Sequence, residues 1–150
     1  IIIYNTLVKG FSKMKKFAKA FELFEKMHKN SSIHTNIVIY NSILDCCVES
    51  KNFEKMLVIY EDIKAKAKAN ENFPQPNVIT HSTVMKGFCK AGDMTKAKAI
   101  YEIIKSGNFQ LDEVIYNTLA DGYSRAKDIN SALEMLKDMK ALNIIRSSVI

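Results

Sequence analysis

The sequence predicts an all-α protein built from stacked helix–turn–helix repeats, and three observations lead to this fold class. A ten-residue motif occurs four times, as YNTLVKGFSK, YNSILDCCVE, HSTVMKGFCK and YNTLADGYSR. The first residues of these copies lie 36, 41 and 35 residues apart, and such periods are typical of helical repeat arrays. The 150 residues include only five glycines and two prolines, which is too little turn material for a β-rich fold.

Each repeat is predicted to contain two helices. In the first copy of the motif, Tyr4, Leu7, Val8 and Phe11 have the spacing of an apolar helix face. A second apolar block follows every motif after a short turn. One helix pair cannot bury its apolar face alone, so neighbouring pairs must stack. The second blocks are Phe17–Met27, Phe53–Ile63, Met94–Ile104 and Ile129–Met139.

Turn residues separate the two helices of every repeat. Only the third turn contains a glycine, Gly92, so Asn, Asp or Lys must close the others. The second repeat is longer because of the segment AKAKANENFPQPN. There we expect the helix to end before Pro74 and Pro76, which cannot continue it, and an outer-edge loop to follow.

These patterns predict one repeat array over residues 1–150. Ile1 already lies inside the first motif, so we expect the chain to be a segment of a longer protein. The last three residues are interpreted as the start of a further repeat. The predicted repeats are 1–36, 37–77, 78–112 and 113–147, followed by 148–150.

Composition and charge narrow the classes of function. Hydrophobic residues make up 47% and charged residues 25%, which is typical of a folded protein and argues against disorder. No apolar run approaches the length needed to span a bilayer, so no membrane partner is expected. The formal net charge of +6 weakly favours an anionic partner.

No catalytic or metal-binding pattern is visible. Cys46, Cys47 and Cys89 form no C-x-x-C pair, so we expect reduced, half-buried thiols and neither a disulfide scaffold nor a zinc site. No histidines, cysteines or carboxylates have a spacing that indicates metal ligands. Phosphate loops and nucleophile–base pairs are also missing. We therefore expect no enzyme activity, no metal and no cofactor in this segment.

The repeat period, the Y-N-T-L sequence and the G-F-C-K-A-G-D sequence at Gly87–Asp93 resemble the pentatricopeptide repeat family. The resemblance covers the whole chain in four concordant repeats. It implies a right-handed α-solenoid that binds single-stranded RNA, with one base read per repeat by two or three side chains. It also implies that the protein acts on RNA in a mitochondrion or plastid.

The resemblance assigns roles to particular positions of each repeat. The fifth and last residues of a repeat select the base, and the second residue packs against the base faces. The base-selecting pairs become Asn5 with Asn36, Asn41 with Asn77, Ser82 with Asp112, and Asn117 with Ser147. The base-packing residues become Ile2, Val38, Ile79, Val114 and Val149.

Helical spacing supports a groove that meets phosphates. Residues four apart share a helix face, so Asn5, Lys9 and Lys13 form a polar stripe opposite the apolar one. The second repeat has Asp45 and Glu49 in the stripe, so the weakest phosphate contacts are expected there. The residues expected to contact phosphates are Lys9, Lys13, Lys86, Lys90 and Arg125.

The family's pairing preferences predict an RNA word. Asn with Asn implies a pyrimidine, with cytosine somewhat preferred, Ser with Asp implies guanine, and Asn with Ser implies cytosine. Since the family reads RNA 5′ to 3′ along the protein, the preferred word is pyrimidine-pyrimidine-G-C. Ser148 replaces Ser147 in the fourth pair if that repeat is one residue longer.

Other interpretations of the same residues stay open. Asn36, Asn77, Asp112 and Ser147 precede helices, where Asn, Asp and Ser are the preferred N-caps. The motif tyrosines and His81 are interpreted as core residues, and the KAKAK run as a solvated face. The alternative function is a protein-binding scaffold, because the concave face of a helical solenoid also holds peptides.

Overall fold

A computed structural model describes residues 2–30 and 35–142 of the chain. Within these residues the structure is all-α, which confirms the predicted class, and each predicted helix is present. The helices are α1 (Ile2–Lys13), α2 (Phe17–Lys29), α3 (Ile37–Glu49), α4 (Phe53–Ala69), α5 (Val78–Ala91), α6 (Met94–Ser106), α7 (Glu113–Arg125) and α8 (Ile129–Ala141). No described helix is long and apolar enough to cross a membrane.

The chain divides into two compact units, Ile1–Val84 and Met85–Ile150. In the first unit α1 packs on α2 and α3, and α3 packs on α2 and α4. In the second unit α7 packs on α6 and α8. Each unit therefore contains the contacts that a helical repeat needs, within a pair and between neighbouring pairs. The single array over the whole chain stays a prediction.

The motif tyrosines and their helix partners form the two cores. Tyr40 and Tyr60 are 1% exposed in the first unit, where the fully buried Ile43 and Leu44 also lie. Tyr101 and Tyr116 are at most 1% exposed in the second unit, and their rings meet edge to face. Tyr40 and Tyr116 are thus packing residues, as the sequence predicts, whereas Tyr4 on α1 is only half-buried.

Two details differ from the sequence-based expectations. The three cysteines are fully buried, not half-buried, because the motif positions that they occupy face the core. Burial raises the pKa of Cys47 to about 12 and that of Cys89 to about 11, so these thiols stay protonated at neutral pH. On α1, Leu7 is 43% exposed, because this first helix packs only on α2 and α3.

The long second repeat ends as predicted, with α4 stopping at Ala69 before the prolines. The sequence predicted that a loop at the outer edge would follow. In the structure this loop packs on the core of the first unit. Gln75 Nε2 donates to the carbonyl of Ala67 at 3.2 Å, and the Phe73 ring lies 5.7 Å from the Tyr40 ring. The extra residues therefore cover part of the core.

The four turns within the repeats share one structure. The middle residue has a left-handed backbone, and the next N–H donates to a carbonyl five residues back, which is a Schellman motif. Three of these turns then place an aspartate or asparagine at the N-cap of the second helix: Asn52, Asp93 and Asp128. The left-handed residues are Lys15 (φ 57°), Lys51 (φ 57°), Gly92 (φ 79°) and Lys127 (φ 60°).

We expect Lys51→Gly and Lys127→Gly each to raise the free energy of unfolding by about 0.5–1 kcal/mol, because glycine adopts the left-handed region without a Cβ clash. Urea unfolding measures the change. The matched control is Lys98→Gly inside α6. This substitution should lower the free energy of unfolding by about the same amount. Loss of stability at Lys51 and Lys127 as well would contradict this account of the turns.

Candidate functional site

The first unit contains a groove of about 840 Å³ that opens between α1, α3 and α5. Six residues predicted from the sequence line it, although they come from three different repeats. The groove also includes Ser12, Ser42 and Thr83, which the sequence reasoning missed because single hydroxyl residues carry no spacing signal. The predicted residues in this groove are Lys9, Lys13, Val38, Asn41, Asn77 and Ile79.

The second unit has a smaller groove of about 370 Å³ on α5 and α7. Like the first groove, it combines aliphatic, amide and cationic side chains. Arg125 donates to the Asp121 carboxylate at 2.6 Å, so part of its charge is balanced within the helix. The predicted residues in this groove are Lys86, Lys90, Val114, Asn117 and Arg125.

Not all predicted residues line a groove. Ile2, Asn5, Asn36, Ser82 and Asp112 line neither of the two. Ser82 Oγ donates to the carbonyl of Ile79 in its own helix at 3.3 Å. Ser147 and Val149 lie outside the described residues, and so does Ser148.

The predicted pair of the second repeat is in direct contact. Asn41 Nδ2 donates to Asn77 Oδ1 at 3.1 Å, although the two residues are 36 positions apart. The buried hydroxyl of Thr80 lies 2.6 Å from Asn41 Oδ1. Asn41 is only 9% exposed, so its amide orientation is set by these contacts. Thr80 was not singled out by the sequence, since it lies just before the repeated motif, which begins at His81.

The last residues of the first three repeats also cap helices, as the alternative interpretation expects. Asn36 Oδ1 accepts from the N–H of Ile39 at 3.0 Å, and Asp112 Oδ1 accepts from Ile115 at 3.0 Å. Asn77 Oδ1 accepts from the N–H of Thr80 at 3.1 Å. Capping leaves the second polar atom of each side chain available, so it does not conflict with ligand binding.

The predicted base-packing residues are unusually open for aliphatic side chains. Val38 is 43% exposed, Ile79 is 56% exposed and Val114 is 68% exposed, although all three lie on helices with buried faces. Ile2 at the start of α1 is 78% exposed. Isolated exposed aliphatic residues are ordinary, but here three of them line grooves beside amides and cations. This arrangement offers apolar surface to a flat ligand.

Charges of both signs line the first groove. Lys9 and Lys13 are exposed on α1, one helical turn apart, while Asp45 and Glu49 lie across the groove on α3. The expectation of weaker phosphate contacts at the second repeat stays a prediction. The described residues contain no group of His, Cys, Asp and Glu that could hold a metal ion.

His81 replaces the motif tyrosine of the third repeat and lies in the core at 6% exposure. Its Nδ1 is 2.7 Å from the Tyr60 hydroxyl, and the two rings meet edge to face. Burial lowers the pKa of His81, and the nearby Lys64 charge adds to this effect, so the ring is neutral at pH 7. It is therefore a packed histidine, as predicted.

Comparison with known proteins supports these structural observations. A family model described as the pentacotripeptide-repeat region of PRORP matches residues 3–146. A chloroplastic pentatricopeptide repeat-containing protein of Arabidopsis thaliana is 27% identical over 140 residues, which are 93% of this chain. The chain spans only 17% of the length of that relative.

Solved structures share the fold. The pentatricopeptide repeat protein PPR10, in complex with an 18-nt psaJ RNA element, matches with a TM-score of 0.83 and 23% identity, over 99% of this chain and 21% of that chain. The PPR domain of Arabidopsis thaliana protein-only RNase P 1, in complex with tRNA, matches with a TM-score of 0.75 and 18% identity. That match covers 97% of this chain and 73% of the domain. At these identities the likeness shows the fold alone, which is the helical repeat fold that the sequence predicts.

Proposed function

Because the chain belongs to the pentatricopeptide repeat family, we propose that it is a single-stranded RNA-binding module that reads one base per repeat. Its site is the pair of grooves described above, and the segment itself contributes binding and no catalysis. The RNA in the complexes of PPR10 and of the RNase P 1 domain fits this proposal.

The observation that carries the proposal is the contact between Asn41 and Asn77. The fifth and last residues of the second repeat are far apart in sequence, yet their amides meet in the groove. Capping of α5 accounts for the position of Asn77, but not for its contact with the Asn41 amide of another helix. A pair of fixed amides at the edge of a groove is suited to recognising the hydrogen-bonding edge of a base.

The neighbouring residues supply the other parts of a base site. Val38 and Ile79, the second residues of successive repeats, line the same groove as the amide pair. A base that enters the groove would be held between these two aliphatic side chains while its edge meets Asn41 and Asn77. Lys9 and Lys13 lie at the same groove, where they would contact phosphates.

The word that this module would prefer is pyrimidine-pyrimidine-G-C, from the pairing preferences of the family applied to the four repeats. Binding would protect RNA from nucleases, remodel it or guide a partner enzyme. The place of action would be an organelle, which agrees with the chloroplastic relative.

We expect the 150-residue chain to bind a short single-stranded RNA with the predicted word more tightly than one in which adenine replaces the guanine. The expected ratio of dissociation constants is roughly ten, since one mismatched base edge costs about 1–3 kcal/mol. Fluorescence anisotropy at constant salt measures both constants. The matched control is Ser82→Ala, which removes the hydroxyl of the third repeat and should reduce the ratio. Equal affinity for all RNAs would refute the sequence preference, and binding only to peptides would favour the scaffold alternative.

A further inference from the structure

The side chains of three residues form a closed hydrogen-bond network: Asn41, Asn77 and Thr80. Thr80 Oγ1 accepts from the backbone N–H of Asn77 at 3.1 Å, and Asn77 Oδ1 accepts from the backbone N–H of Thr80 at 3.1 Å. This reciprocal pair is a capping box at the start of α5. Asn41 joins it through Asn77 Oδ1 at 3.1 Å and through the Thr80 hydroxyl at 2.6 Å.

The network fixes which way each amide points. A backbone N–H can only donate, so the atom of Asn77 that faces Thr80 must be its oxygen. Asn41 must then direct its nitrogen to that oxygen, because two carbonyl oxygens would repel each other. The oxygen of Asn41 consequently faces Thr80. The Thr80 hydroxyl donates its proton to this oxygen at 2.6 Å.

The amide nitrogens are therefore the groups of this pair that keep hydrogens for a ligand. Both oxygens accept hydrogen bonds within the network, whereas Asn77 Nδ2 donates to no described residue and Asn41 Nδ2 keeps its second hydrogen. Both residues line the groove. A ligand that meets this pair therefore finds N–H donors.

We propose that Thr80 is a positioning residue for base recognition in the second repeat: its hydroxyl holds the Asn41 amide so that the pair selects cytosine over uracil. The inference rests on the proposed RNA-binding function. On its pairing edge cytosine has two adjacent acceptors, N3 and O2, which suit adjacent N–H donors. Uracil has an N3–H donor between its two carbonyls, and this donor would face the amide N–H groups.

The first repeat provides an internal comparison. It has the same predicted pair, Asn5 and Asn36, but Ile39 stands in the register of Thr80, three residues after the last residue of the repeat. An isoleucine side chain cannot donate a hydrogen bond. Accordingly Asn5 Oδ1 is buried and accepts no hydrogen bond from any residue that the structure describes. Its amide is not held in one orientation, so the first repeat should accept cytosine and uracil alike.

The test measures dissociation constants of the 150-residue chain for four short RNAs that carry C or U at the first and second positions of the word. In the unchanged protein we expect C over U by roughly three- to tenfold at the second position, the value of about one hydrogen bond, and a ratio near one at the first. Thr80→Val, which keeps the shape and removes the hydroxyl, should bring the second ratio near one. Thr80→Ser keeps the hydroxyl and should keep the ratio.

Each outcome separates a positioning role from a structural one. If Thr80→Val weakens binding of C and U RNAs by the same factor, or if the unchanged protein discriminates equally at both positions, Thr80 does not position the base. If circular dichroism shows that Thr80→Val does not fold, the C-to-U ratios at the two positions in the unchanged protein still decide whether Thr80 positions the base. If the folded unchanged protein binds none of the RNAs, the proposed function fails, and this inference with it.

Discussion

Replacing Lys9, Lys13 and Lys90 together by glutamine should lower the affinity of the chain for single-stranded RNA by about a hundredfold at low salt. All three side chains are exposed and line the two grooves. Each phosphate contact that is lost removes favourable counterion release, so the log–log dependence of affinity on salt should become shallower by roughly 0.7 per contact. Fluorescence anisotropy over a salt series measures affinity and slope together.

The matched control removes the same number of charges elsewhere. The KAKAK run on α4 contains Lys64, Lys66 and Lys68, which line neither groove. Lys64 forms an ion pair with Glu61 and Lys66 one with Asp62, each at 2.8 Å. Their replacement by glutamine should leave the salt slope nearly unchanged. If both triple variants lose affinity equally, the net charge of +6 attracts RNA without a defined path along the grooves.

Removing one hydroxyl should have opposite effects on stability at two buried tyrosines. The Tyr101 hydroxyl lies 3.1 Å from the Tyr116 hydroxyl and 3.2 Å from Asp138 Oδ2. Since a carboxylate only accepts, Tyr101 donates to Asp138 and accepts from Tyr116. Tyr101→Phe leaves the buried Tyr116 hydroxyl without this partner and should cost about 1–3 kcal/mol of unfolding free energy.

The Tyr40 hydroxyl, in contrast, is buried and has no hydrogen-bond partner among residues 2–30 and 35–142. Tyr40→Phe removes a polar group that gained nothing on burial, so it should be neutral or raise the free energy of unfolding by about 1 kcal/mol. Urea unfolding followed by circular dichroism measures both variants. Tyr4→Phe, at the half-buried first tyrosine, is the control and should change little. A loss of equal size at Tyr40 and Tyr101 would contradict the assigned hydrogen bonds.

Much of the fold could be predicted because it depends on local pattern. The apolar spacing, the repeated turn positions and the prolines after α4 specify where helices begin and end, and the structure agrees within the described residues. The sequence predicted only the residue types of the turns, and not which lysines adopt a left-handed backbone conformation. The sequence showed that a turn without glycine needed Lys, Asn or Asp, and the structure places Lys15, Lys51 and Lys127 at the strained position.

The candidate site was predictable residue by residue but not as an arrangement. Repeat positions and family resemblance named Asn41, Asn77, Val38 and Ile79, and the structure gathers them in one groove. The same reasoning named Asn36 and Asp112, whose visible role is helix capping. Position within a repeat selects residue types, whereas the contacts of each side chain depend on neighbours from other repeats.

The first two repeats make this distinction concrete. By sequence alone they carry the same asparagine pair, and this determines that amides stand at the positions predicted to select bases. Only the tertiary structure decides the direction of those amides, because the atom that orients Asn41 belongs to Thr80, 39 residues later in the chain. In the first repeat an isoleucine occupies that register, and Asn5 Oδ1 has no partner within the described part of the chain. The neighbours of an amide determine whether its N–H or its oxygen faces a ligand. The same residue type can therefore present different hydrogen-bonding groups in different repeats.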